Sequence, residues 1–304
     1  MYDPSDPRSR MAANTAAPKA AAPQAFAGAD YGLFYDIGPQ VAGDGAKTWL
    51  TRGQNFLVAQ SEVDGGGSLS RVGQPDEYVL LLPDRDTPAV IEANGERVEA
   101  DGFSLVILPP GDSRITMPKG GRATRIFSTR SEDLNALCSN ADSYAAPHPN
   151  VALLEPWPDP VGGFRIRVYS LDVPPTPGRF GRIFRCTTLM VNYLDPQHGP
   201  RDITKLSPHH HDDFEQGSLA LDGAFTHHLR WPWTTNLNVW RDDEHALVRS
   251  PSLTVIPPPA IHTSRGMEAG LNQLVDIFSP PRVDFSKQGW VLNADEYPMP
   301  ASLG

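Results

Sequence analysis

From Tyr31 onward, short apolar runs alternate with Gly, Pro and Asp turns. The runs Tyr78 to Leu82, Ala89 to Ile91, Ser104 to Leu108, Arg165 to Tyr169, Thr187 to Tyr193, Ser252 to Ile256 and Gln273 to Phe278 have strand length and β-prone composition. Asn94-Gly95, Asp101-Gly102 and Asp222-Gly223 supply turn chemistry between such runs. One helix is predicted, over Ser131 to Leu137, with Ser131 as its cap and acidic residues in the first turn. Short strands at regular spacing predict an all-β sandwich or barrel. Residues 1–28 are Ala/Pro-rich with almost no large apolar side chains, and read as a disordered tail. Met11 followed by Ala-Ala-Asn reads as an alternative start, with Met1 to Arg10 as an upstream extension.

The pattern occurs twice. Phe103 to Arg114 aligns with Pro251 to His262, each an apolar strand running into a double-proline turn. An acidic element lies upstream of each, Asp76-Glu77-Tyr78 in the first copy and Asp213-Phe214-Glu215 in the second. Two units are therefore expected, over residues 29–147 and 148–304, divided in the Pro-rich stretch from Ala145 to Gly163.

Composition narrows the function. With 26 Lys+Arg against 36 Asp+Glu, the net charge is -10 over 304 residues. That balance excludes the basic face of a nucleic-acid binder and a polybasic membrane-surface protein. No apolar run is long enough to span a membrane. The 2 cysteines, Cys138 and Cys186, exclude a disulfide framework and a cysteine-built zinc site, and the default compartment is a reducing cytoplasm. Without a Gly-x-Ser-x-Gly elbow a serine hydrolase is not expected.

None of the 9 histidines precedes His148. The dense stretch is Pro208-His209-His210-His211-Asp212-Asp213-Phe214-Glu215. On an extended strand His209, His211 and Glu215 share one face. Two imidazoles and a carboxylate suit a divalent transition metal. His262, aimed by the proline turn before it, is the expected third imidazole. The ordinary alternatives are a solvated histidine patch, a surface carboxylate at 215 and a hydrogen-bonded structural histidine at 262.

These residues resemble the cupin superfamily, whose first motif reads HxH, three or four residues, Glu, about six residues, Gly. Here His209-x-His211 is followed by three residues, Glu215, and seven residues to Gly223. The second motif, Pro-x-Gly-x-x-His with Asn further on, is matched by Pro257-x-Pro259-x-x-His262, with Gly266 where Asn would stand. The spare residue before Gly223 suggests a bulge. The resemblance implies two tandem jelly-roll barrels, a bicupin, with His209, His211, Glu215 and His262 as metal ligands and a homodimer as the assembly. Counting back from Glu77 places Arg71 and Gly73 at the two His positions of the first copy, and Arg114 stands at the His262 position. Guanidinium does not ligate metal, so the first barrel is expected to be degenerate, a packing partner or, alternatively, an anion pocket of Arg71 and Arg114.

Taking Asp222-Gly223 as a two-residue hairpin puts Thr226, His228 and Arg230 inward with Glu215, and His227 outward. His228 is then a candidate acid/base and Arg230 a candidate carboxylate clamp. Their ordinary alternatives are a buried hydrogen-bonded histidine and an ion pair. Trp231, Trp233 and Trp240 are read as a hydrophobic wall or as rim packing, and Phe285 to Tyr297 as a strap. The first functional expectation is an iron(II) dioxygenase with one metal ion per chain, acting on a small, carboxylate-bearing aromatic or enolic acid. Manganese, zinc or nickel would fit a non-oxidative isomerase, epimerase, decarboxylase or lyase. A non-catalytic small-molecule-binding bicupin is the third reading.

Overall fold

The computed structural model describes residues 25–148 and 150–303. In chain order the strands are β1 (Asp30–Leu33), β2 (Val41–Gly43), β3 (Ala46–Arg52), β4 (Phe56–Val63), β5 (Gly67–Gln74), β6 (Tyr78–Leu82), β7 (Ala89–Ala93), β8 (Glu96–Ala100), β9 (Ser104–Leu108), β10 (Gly111–Met117) and β11 (Gly121–Ser128). After the short helix α1 (Glu132–Asn135) come β12 (Arg167–Ser170), β13 (Arg182–Arg185), β14 (Met190–Tyr193), β15 (Gln197–His198), β16 (Gln216–Asp222), β17 (Ala224–Arg230), β18 (Glu244–Arg249), β19 (Ser252–Ile256), β20 (Ile261–Gly266) and β21 (Leu271–Phe278). Helix α2 (Val283–Lys287) follows. No helix among the described residues is long and apolar enough to cross a membrane.

The strands form two jelly rolls, each a seven-stranded sheet facing a smaller one. The first pairs β12-β9-β6-β11-β4-β3-β2 with β5-β10-β7-β8; the second pairs β1-β19-β16-β21-β14-β13, with β15 on β21, with β18-β17-β20. Strands are exchanged between them. β1 precedes the first barrel yet pairs with β19 of the second, while β12 follows the first barrel and closes its edge on β9.

The seven-stranded sheets pack face to face. Val79, Leu81, Leu105 and Ile107 of the first share one core with Leu219, Leu253, Val255 and Ile277 of the second. Both faces of the central strands are therefore buried, which is why β6, β9 and β19 are buried at every position and read as unbroken apolar runs. The inner faces differ. The first lumen is filled by Leu50, Leu57, Leu80, Leu108, Ile91, Ile115 and their neighbours. Alternate lumen positions of the second carry Gln216, Ser218, Thr254 and Asp276, all buried.

Predicted and observed elements differ in instructive places. The helix is confined to α1, and Ser131 does not cap it. Its hydroxyl instead accepts from Gln74 Nε2. The expected tail lies outside the described residues up to residue 24; Phe26 and Ala29 pack beside Trp231, whose indole donates to the Ala27 carbonyl. Cys138 and Cys186 are buried free thiols. The Asp222-Gly223 hairpin is not formed, because β16 and β17 belong to different sheets. Gly223 (φ +84°) is the corner between them, and a Cβ there would lie 2.6 Å from Asn272 Oδ1 and 2.7 Å from the Leu271 carbonyl. Gly223→Ala should cost about 1–3 kcal/mol from backbone conformation alone. A lowered denaturation midpoint by circular dichroism checks this; an unchanged midpoint would contradict the corner geometry.

Candidate metal centre

Two distant segments are tied together by their backbones. His209 N donates to the His262 carbonyl at 3.0 Å and His262 N to the His209 carbonyl at 2.7 Å, an antiparallel bridge outside the main sheets. This brings His209, His211 and His262 together, with one nitrogen from each lying within 4.8 Å of the others. His209 Nδ1 faces the Ser207 carbonyl at 3.0 Å and His262 Nδ1 the Ala260 carbonyl at 2.8 Å. Each carbonyl fixes the Nδ1–H tautomer, leaving the Nε2 lone pair for a ligand role. His211 stacks on Phe214, with centroids 4.4 Å apart. Its burial first, then Arg282, holds its pKa well below the ordinary imidazole value, so the ring is neutral.

Glu215 does not join the three histidines. The lumen residue is its neighbour Gln216, which opens β16 opposite Ile256. Gln216 Oε1 lies 3.0 Å from His211 Nε2 and 3.3 Å from His262 Nε2. Gln216 Nε2 donates to Asp276 Oδ1 at 3.1 Å. A carboxylate only accepts, so Asp276 fixes which end of the amide faces the imidazoles. The donor set fits a divalent cation. A neutral His262 has one N–H to give, yet acceptor oxygens face both of its nitrogens. A cation between Nε2 and the amide oxygen removes that conflict.

Glu215, buried to 2% exposure, points away from the lumen toward the first half of the chain. It accepts from Gln54 N and the Tyr144 hydroxyl and lies 3.2 Å from His148 Nδ1. Its pseudo-equivalent, Glu77, accepts from Thr187 and Tyr297 of the second half. The missed signal was in the spacing: counted from Gln216, four residues follow His211 and six precede Gly223, and the supposed bulge disappears.

His228 and Arg230 face away from the site. With no hairpin at residue 223, the lumen face of β17 carries Phe225, His227 and Leu229, the last paired with His262. Arg230 is exposed and grips Asp243, while His228 Nδ1 lies 2.8 Å from His245 Nδ1. His227, expected outward, is 1% exposed, with Nδ1 2.8 Å from Ser264 Oγ. Burial, then His262, pushes its pKa down to about 3, leaving it neutral. Trp233 and Trp240 stack on each other outside the cavity, centroids 4.6 Å apart. His210 is exposed beside Asp212.

A cavity of about 410 Å³ opens onto His209, His262, Gln216 and Asp276. Phe180, Leu194, Phe225 and Leu274 give it apolar walls; Arg179, Arg201 and Lys205 bring positive charge to it and Asp195 and Asp276 negative charge, Asp195 being paired with Arg182.

Fold and site together define a double jelly roll with a candidate metal centre in its second barrel. Among solved structures, the chain is similar to an oxalate decarboxylase–formate complex from Lactobacillus farciminis, with TM-score 0.56, 12% identity, and 87% of this chain and 88% of that one covered. A mutant oxalate decarboxylase from Bacillus subtilis gives TM-score 0.54 and 12% identity, covering 83% and 77%. A putative glyoxylate-induced protein from Pseudomonas aeruginosa gives 0.51 and 13%, covering 88% and 95%. No protein-family model and no curated protein sequence matches the chain.

The His148–Glu215 contact makes stability pH-dependent. Glu215 raises the His148 pKa above 6.5. The stabilisation is complete below that unfolded-state value and is lost as pH rises through the higher folded-state value. Denaturation midpoints of the wild type and His148→Ala, compared between about pH 6 and pH 9, should converge at the alkaline end. A gap independent of pH would remove Glu215 as the cause.

Proposed function

We propose that the chain is a divalent-metal-dependent enzyme acting on a small carboxylate-bearing acid. His209, His211 and His262 hold the metal through Nε2, and Gln216 completes the set through Oε1. The observation carrying this reading is the amide oxygen facing two buried imidazoles, with Asp276 fixing its orientation. A bound divalent ion supplies Lewis acidity and, if it is iron, a redox couple for dioxygen chemistry.

Every proposed ligand is neutral, so the ion keeps its full charge and favours an anionic substrate. Arg179 and Lys205 on the cavity wall add to that preference, and Phe180 and Phe225 would shield an aromatic or enolic body from water. Imidazole-rich sites suit iron, zinc and nickel, whereas manganese is better served by carboxylate oxygen. With Glu215 turned away, the donor set speaks against manganese and is compatible with iron(II), as the dioxygenase reading requires, and equally with zinc or nickel. A second reading, non-oxidative decarboxylation, is supported by the structural likeness to oxalate decarboxylases.

Protein purified without an affinity histidine tag should contain about one divalent ion per chain. His262→Ala should keep its β circular dichroism and lose metal affinity by at least about 100-fold, beyond the 10–100-fold cost of a lost outer-shell partner. Oxygen uptake matched to product on catechols, hydroxybenzoates or diketones would support the dioxygenase. Carbon dioxide release without oxygen uptake would support the decarboxylase. Metal-free wild-type protein, or His262→Ala with unchanged affinity, would overturn both.

A further inference from the structure

The first barrel's lumen contains one charged group that its packing does not explain. Arg125 lies on β11 between Ala59 of β4 and Leu80 of β6, both members of the apolar core. It is 8% exposed. Its Nε has no acceptor among the described residues, and its Nη1 reaches only the Ser70 carbonyl at 3.5 Å. No carboxylate of the described residues pairs with it. The neighbouring charge is another cation: Arg71 and Arg125 lie 5.5 and 5.6 Å from the centroid of the same Phe127 ring. Burial lowers the Arg125 pKa to about 10, which leaves it protonated at neutral pH. A buried charge without a counterion costs several kcal/mol.

Strand register gives the position its meaning. Tyr78 opens β6 opposite Leu108, as Gln216 opens β16 opposite Ile256. Arg125 then pairs with Leu80 as Asp276 pairs with Ser218. The lumen position that bears a carboxylate in the second barrel thus bears a guanidinium in the first. Close by, the Tyr78 hydroxyl sits 2.7 Å from Ser113 Oγ. Ser113, with Ser70 and Arg71, lines an open surface cleft of about 450 Å³. Arg71 is held there by a bidentate contact with Asp133 of α1. Arg114 is exposed on the other side of β10; it lines the same open cleft as Arg71 but does not face the lumen.

We propose that the lumen of the first barrel binds a small monovalent anion, a halide or a carboxylate of formate size, with the Arg125 guanidinium as its counter-charge and the Tyr78 hydroxyl as a neighbouring donor. This does not depend on the metal reading. The test uses the full chain carrying His262→Ala, so that binding at the second barrel does not register. Thermal unfolding is followed during titration with sodium bromide, sodium formate and, as an ionic-strength control too bulky for the lumen, sodium gluconate. Bromide, formate or both should raise the midpoint saturably and gluconate should not. The effective anion identifies the source. Adding Arg125→Met should weaken that response by at least about 10-fold, the loss of a charge-assisted hydrogen bond. Equal responses to all three salts, or an undiminished response in Arg125→Met, would overturn the proposal. If Arg125→Met does not fold, bromide-soaked crystals of the unsubstituted chain decide: an anomalous peak beside the Arg125 guanidinium supports the site, and its absence overturns it.

Discussion

Residues 215 and 216 carry opposite duties because successive side chains of an extended chain point to opposite faces. Glu215 turns outward and takes donors from Gln54 and Tyr144, with His148 beside it. Gln216 turns inward and meets two imidazoles. The seven-stranded sheet is buried on both sides, by its own lumen and by the other barrel, so both faces are specified. A one-residue slip would drive the carboxylate into the lumen and strip the inter-barrel donors of their acceptor. Glu77 and Tyr78 repeat the arrangement, Glu77 reaching to Thr187 and Tyr297. Removing one partner of such a buried charge leaves the other uncompensated, typically at a cost of about 3–5 kcal/mol. The register that joins the barrels is therefore the register that aims the site.

Within this common frame the two lumens have diverged. Leucine, isoleucine and alanine dominate the first, around the buried guanidinium of Arg125. Glutamine, serine, threonine and aspartate line the second, which stays polar and opens to a cavity. The turns diverged as well. A register shift between Gly111 and Ser113 puts Ser113 inside and Arg114 outside. In the second copy Ile261 is exposed and His262 is buried. Residues that align in sequence thus face opposite ways, and the first copy could not hold a metal at position 114 even with a histidine there.

The strands were legible because the fold buries them completely: Tyr78 to Leu82, Ser104 to Leu108 and Ser252 to Ile256 match their predicted limits. The grouping of His209, His211 and His262 was legible because alternation along an extended segment puts 209 and 211 on one face and a proline turn precedes 262. The misreadings came from local ambiguity. Asp-Gly serves both a hairpin and a corner between sheets, and choosing the hairpin reversed every side chain of β17, exchanging His227 for His228. Chemistry misled at 215, where a carboxylate is the expected ligand and an adjacent amide is easily passed over. The exchange of β1 and β12 joins edges far apart in sequence, which no local pattern encodes.

Asp276 shows how a neutral donor set can still be tuned by charge. Its carboxylate accepts the Gln216 amide hydrogen at 3.1 Å, and Ser218 Oγ lies 3.5 Å from the same oxygen. A charge-assisted hydrogen bond polarises the amide and makes its oxygen a better donor. The negative charge thus acts one hydrogen bond behind the proposed ligand rather than within the coordination shell. Carboxylate ligation would cancel part of a metal's charge at the position a substrate must approach. Set beside the amide, the carboxylate offsets the desolvation of a buried cation without occupying a coordination position, and Arg179, Arg201 and Lys205 bring the positive charge on the cavity wall. The inverted counterpart, Arg125 in the first barrel, follows the same logic with the sign reversed: one strand position sets the charge that each lumen presents.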